Sequence, residues 1–212
     1  MISSCRGFLV IAAMAVVTAS PSVAAADYPE LGRLDPALRA SVSGVIAEAE
    51  RDSLPTKPLI DKSLEGASKG ASPERIVQAV RAYSQSLRRA RSAVGAASTE
   101  AEIVAAAGAI QAGVSEDTLA ELRSARPRGS LVVPLVVLAD MLARGVPLGA
   151  ASPAVLAPAR SGAKDADLFA IRERVEKDIQ AGVAPAAAAK TRSRAWLSQH
   201  ARTGNYPGKD PR

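Results

Sequence analysis

Between Asp35 and Leu197 apolar residues return at steps of three and four, the period of a helix with one buried face. Leu38, Val42, Val45, Ile46 and Ala49 predict a first helix running to about Arg51. Its entry is Asp35 then Pro36, an N-cap followed by a proline at the first helical position. A short second helix is expected over residues 58–67. The clearest pattern follows Ser72 and Pro73, where Ile76, Val77, Val80, Tyr83, Leu87, Ala90 and Val94 fall on one face. Thr99 and Glu102 have the spacing of a capping box at the head of a fourth helix, and Ser115 caps a fifth that ends before Pro127.

The second half is patterned less regularly. Residues 131–144 read as a buried helix, with a strand as the alternative because of their β-branched side chains and Pro134. Prolines crowd residues 147–158, which predicts a broken or short helix. Asp165 is expected to cap a helix holding Leu168, Ile171, Val175 and Ile179, and a last helix should run from Pro185 to about Leu197. His200 then lies at the edge of a mobile basic tail, residues 201–212.

Five joints share one plan: Gly70, Gly113, Gly145, Gly162 and Gly182 each end an outgoing helical pattern, a small apolar residue follows, and Ser, Asp or Pro opens the next helix. Their spacing is too irregular for a repeat of fixed period. The predicted fold is therefore all-α, an irregular bundle or short solenoid-like array of about eight or nine helices in helical hairpins.

The amino terminus changes the picture. Arg6, an apolar run over residues 8–18 and small residues up to Ala26 follow the plan of a secretory signal peptide, too short to span a bilayer. Ala24 and Ala26 suit the cleavage site, so residues 1–26 are expected to be removed and residues 27–200 to form one helical domain. Export to the periplasm or the exterior follows. Cys5 is the only cysteine, so no intrachain disulfide forms. No later segment is expected to cross a membrane: residues 131–139 are interrupted by Pro134 and ended by Asp140.

With 48% apolar residues but only 3% aromatic ones, the core must lean on alanine and small aliphatics. A formal charge of +6 raises nucleic acid as a partner. Export and the lack of aromatics interleaved with basic residues argue against it, and the partners expected are another envelope protein or an anionic envelope polymer. Arg75, Arg81, Arg88, Arg89 and Arg91 leave the third helix at different angles and read as a solvated face.

Candidate chemistry is thin. Gly66 to Ser72 lacks the spacing and the preceding strand of a phosphate loop, which leaves Lys69, Ser72 and Arg75 as a candidate weak anion site at a helix start. Ser161 and Lys164 match S-x-x-K, but Gly162 puts them in a joint and no S-D-N or K-T-G follows. A lone histidine builds neither a zinc site nor a fixed triad, and Asp165 with Asp167, or Glu48 with Glu50, point to different helix faces. Trp196 is expected by default to pack in the core, and is a candidate docking residue if exposed. No cofactor, metal or catalytic residue is assigned, and a non-catalytic binding or structural module is expected, with a serine or carboxylate envelope hydrolase as the alternative.

The runs LPTKPLIDKSLEGASKGASPERIVQAV and LVVLADMLARGVP resemble exported, alanine-rich helical proteins of GC-rich bacteria, over most of residues 54–195. The resemblance implies export and an all-helical fold, and it brings no activity and no site residue with it.

Export gives the first test. Protein recovered from the envelope or medium of the producing cell is expected to begin at Asp27 when its amino terminus is sequenced, and an intact Met1 in that fraction would contradict the reading.

Overall fold

The computed structural model describes residues 28–202, so the expected signal segment and most of the expected tail lie outside the described residues. A short 3-10 turn, Pro29–Arg33, leads into α1 (Pro36–Arg51), α2 (Lys57–Ser68), α3 (Pro73–Val94), α4 (Glu100–Gln111) and α5 (Glu116–Ala125). Then come α6 (Val132–Ala143), α7 (Leu148–Arg160), α8 (Asp165–Gln180) and α9 (Pro185–Arg202). The described residues are all-helical, without a strand. No described helix is long and apolar enough to cross a membrane.

Every extensive helix contact joins elements one or two places apart in the chain, so the helices are arrayed in chain order. The odd-numbered helices form one layer, α1 on α3, α3 on α5, α5 on α7 and α7 on α9. In the other layer α4 packs on α6 and α6 on α8. Second neighbours run parallel, because their paired residues advance together: Arg172 binds Asp140 while Arg144, four places after Asp140, binds Glu176, four places after Arg172. Buried Val80, Leu87, Leu119, Leu122, Leu135, Leu138 and Met141 fill the space between layers, with Ala106, Ala107, Ala109, Ala188 and Ala189 wholly enclosed.

All five glycine joints are present. Their φ values lie between 68° and 99°. At the α4–α5 joint, Gly113 donates to Ile110 at 3.0 Å and Val114 to Ala109 at 2.9 Å, closing the outgoing helix as Val114 folds back into the core. The same closure occurs after α1 without glycine: Ser53 takes φ 54° and Leu54, buried, donates to Ala49 at 2.8 Å. A left-handed serine costs about 1 kcal/mol, so composition gives no warning of this joint. Leu54 burial and the Arg91 guanidinium, which donates to the Ser53 carbonyl, hold it in place.

The buried helix read over residues 131–144 is present over residues 132–143, and Pro134 is tolerated because it sits in the first turn, where its missing N–H has no carbonyl to meet. The boundaries differ from expectation in three places. α7 is one continuous helix despite Pro153 and Pro158 in its interior, since contacts to α5, α6 and α9 bury Ala151, Ala154, Val155 and Ala159 and offset the two lost bonds. The cap of α8 is Lys164, whose N–H donates to Asp167 at 2.8 Å, and Asp165 is the first helical residue. α9 continues past Leu197 to Arg202, carrying His200 onto the helix.

Arginines stitch the second neighbours together. Arg88 of α3 binds Asp52 after α1 at 2.6 Å, Arg89 binds Glu116 of α5 at 2.6 Å, and Arg160 of α7 binds Glu121 of α5 at 2.6 Å. In the other layer Arg144 and Arg172 of α6 and α8 hold Glu176 and Asp140. The expectation of a solvated arginine face on α3 is thus corrected for Arg88, Arg89 and Arg91, which reach across to neighbouring elements.

At the middle of the array lies Glu102, 5% exposed. Its carboxylate accepts from the Thr99 N–H at 2.9 Å, closing the predicted capping box, from the Leu131 N–H at 2.9 Å, and from Arg123 Nη2 at 2.7 Å. Arg123 in turn donates to the carbonyls of Val94, Arg126 and Gly129 and to Ser98 Oγ. One ion pair therefore fixes the end of α3, the start of α4, the α5–α6 connection and the start of α6. Burial alone would push the Glu102 carboxyl up, but the Thr99 and Leu131 amides and the Arg123 guanidinium together outweigh it and hold it below the ordinary glutamate range.

A depressed carboxyl means the native protein binds fewer protons than the unfolded chain. This contribution to stability is whole above the ordinary value of about 4.3 and fades as pH falls through the lower folded value. Denaturant titration should show Glu102→Ala losing about 3 kcal/mol and Glu102→Gln about half that, since an amide oxygen still accepts from Leu131. Glu102→Gln should also unfold with a shallower dependence on acid pH than wild type. Equal stability of Glu102→Ala and wild type at pH 7 would contradict the assignment.

Candidate functional site

The residues singled out by sequence do not gather at one place. Lys69, at the end of α2, is paired with Glu65 one turn back, and that carboxyl is held low by Lys69 and by Lys62. Ser72 caps α3, accepting from the Arg75 N–H at 3.5 Å. Glu74 turns its own carboxylate onto its backbone N–H and the Ser72 hydroxyl, which lowers its pKa. The start of α3 thus carries a carboxylate of the chain itself, and Arg75 stays exposed.

Trp196 is 4% exposed and stacks on His200, ring centroids 3.9 Å apart at 19°. It is a core residue, as the default reading has it, and the alternative that it docks a partner is corrected. Among the described residues the exposed large apolar side chains are Val136, Phe169 and Val183, and Arg172 lies 6.0 Å from the Phe169 ring. Ser161 ends α7 and Lys164 begins α8, with Gly162 at φ 81° between them, so the pair does not share a helical turn. The carboxylates weighed as pairs have separate tasks: Asp165 binds Arg126 at 2.7 Å, Asp167 caps α8, and Glu50 accepts from the Tyr28 hydroxyl at 3.1 Å. No group of three metal-ligating side chains is assembled among the described residues.

What the packing leaves open is more informative. In the even layer α4 packs on α6 and α6 on α8, whereas α2 and α4 make at most marginal contact. Between them runs a groove of about 740 Å3. Its floor is Tyr83, half-buried on α3, with Pro58 of α2 and Ala101 and Val104 of α4 as apolar walls. Burial, and then the Asp61 carboxylate, push the Tyr83 phenol up, so it remains a neutral hydroxyl.

The rim carries both signs. Lys57 and Asp61 pair at 2.7 Å along α2, and Lys62 pairs with Glu65 at 3.3 Å. Glu100 on the α4 side has no such partner among the described residues. An apolar floor under a rim of mixed charge suits an amphipathic polypeptide better than a polyanion. Tyr83 was legible only as a core position of α3. That it lies under a gap depends on the separation of α2 from α4, which no periodicity carries.

Comparison with family models, curated proteins and solved structures finds no match to this chain. The geometry alone bears on function.

Proposed function

We infer that the protein is an exported, non-catalytic binding module of the cell envelope whose α2–α4 groove receives a segment of a partner protein. The observation that carries this reading is the gap in an otherwise continuous layer: second neighbours pack closely everywhere else in that layer, and here they part over an apolar floor. A helix or extended strand would lay its apolar stripe on Pro58, Tyr83, Ala101 and Val104 and meet Lys57, Glu65 and Glu100 at the rim. Export is supported by the signal-like amino terminus.

A photo-reactive benzoylphenylalanine at position 104, in protein expressed with its full amino terminus in the producing cell, tests the groove. The expected result is one predominant adduct with an envelope protein, reduced about tenfold by Ala101→Arg, which corresponds to roughly 1.4 kcal/mol of lost affinity. The same probe at position 169, on the exposed face of α8, should not yield that adduct. An identical adduct pattern at both positions, or none at position 104, contradicts the proposal.

A further inference from the structure

A second opening lies at the amino-terminal end of the array, between the parallel helices α1 and α3. It is a cleft of about 320 Å3 lined by Ser41, Gly44 and Glu48 of α1 and by Arg81, Ser84 and Gln85 of α3. That volume is at the lower end of the range of small-ligand sites, about 300–1,000 Å3.

Three features of this cleft are not explained by the fold. Gly44 sits inside α1, where glycine weakens a helix, yet a Cβ there would meet nothing within 4 Å. Packing does not require it, and its effect is to leave the cleft wider. Ser84 is 2% exposed, and its Oγ is buried without a hydrogen-bond partner. Nearby helical serines satisfy themselves, Ser86 by donating to Ala82 and Ser41 to Ala37, both at 3.1 Å, whereas Ser84 does not. Arg81 forms no ion pair or hydrogen bond among the described residues, in contrast to Arg88, Arg89 and Arg91 on the same helix. Its nearest carboxylate along the helix, Glu74, is turned to its own N–H and Ser72.

The charges are laid out along the cleft. Arg81 faces Ser41 at one end, and Glu48 approaches Arg88 at 4.0 Å at the other, where Arg88 is held more closely by Asp52 at 2.6 Å. Seven residues separate Arg81 from Arg88, about 10 Å along a helix. A cation at one end, an available hydroxyl and the Gln85 amide in the middle, and a loosely held carboxylate at the far end match the two termini and peptide group of a short zwitterion, whose reach is about 3.5 Å per residue.

We propose that the α1–α3 cleft binds a free peptide of two or three residues, its carboxylate on Arg81, its amide between Ser84 Oγ and Gln85, and its ammonium toward Glu48. Small side chains are favoured by the volume. The site is separate from the α2–α4 groove, and its occupancy does not depend on a partner there.

Calorimetric titration of the full-length protein with L-alanyl-L-alanine and tri-L-alanine tests this. The expected result is saturable binding to wild type, weakened at least about tenfold, the loss of one charged contact, by Arg81→Gln or by amidating the peptide carboxylate, and weakened also by Glu48→Gln or by acetylating the amine. Ser84→Ala should weaken binding while raising the melting temperature of the free protein, because it deletes an unpaired buried hydroxyl; a merely structural serine would not combine the two. Absence of saturable binding of either peptide to wild type, or binding unchanged by Arg81→Gln and by both end-blocked peptides, would overturn the proposal.

Discussion

The Glu102–Arg123 pair is the constraint on which the rest of the array depends. A buried carboxylate is costly unless every oxygen is met, and Glu102 is met by two backbone amides and a guanidinium. Each contact belongs to a different part of the chain. The Thr99 amide starts α4, the Leu131 amide starts α6, and Arg123 carries the charge of α5 to the carbonyls that end α3 and shape the α5–α6 connection. Those are the exposed ends that a stack of short helices must satisfy, since the first N–H groups and last C=O groups of a helix have no partners within it. Neighbouring helices can share one registry because their ends share one ion pair.

From that centre the array extends in both directions by weaker links. Four second-neighbour steps, α1–α3, α3–α5, α5–α7 and α6–α8, add partly exposed arginine–carboxylate bridges, individually modest in water, over a core of leucine, valine and alanine. Stability in such an array is a sum of local interfaces. A step can therefore be left unpacked without unfolding the remainder, and α2 and α4 part in this way. Openings are left where the stitching is incomplete: the α2–α4 groove for want of close packing, and the α1–α3 cleft beside the unpartnered Arg81 and Ser84.

Much of this was legible in the residues. The helical period, the capping box at Thr99 and Glu102, and the glycine joints all rest on local chemistry, and the structure contains them. The misses come from contacts between residues far apart in the chain. Ser53 closes α1 in a conformation that glycine would adopt without strain, because Leu54 and Arg91 support it from outside the turn. α7 keeps two interior prolines because three helices pack around it. The second role of Glu102 was hidden for a different reason: the capping box reads completely within residues 99–102, and the Arg123 partner lies 21 positions on. Core packing was the default for Trp196, but its stack on His200 was hidden because α9 continues past Leu197 and carries His200 one turn beyond the ring. Neither opening was legible, since both depend on which helices stand apart.

Residue-resolved native-state hydrogen exchange on wild type and Glu102→Gln tests the central role of the buried pair most directly. If Glu102 joins the helix ends around it, the variant loses protection at the Leu131 amide, in the first turns of α4 and α6 and through α5, while α8 and α9 keep theirs. An equal loss of protection along all nine described helices, or none at Leu131, would contradict it.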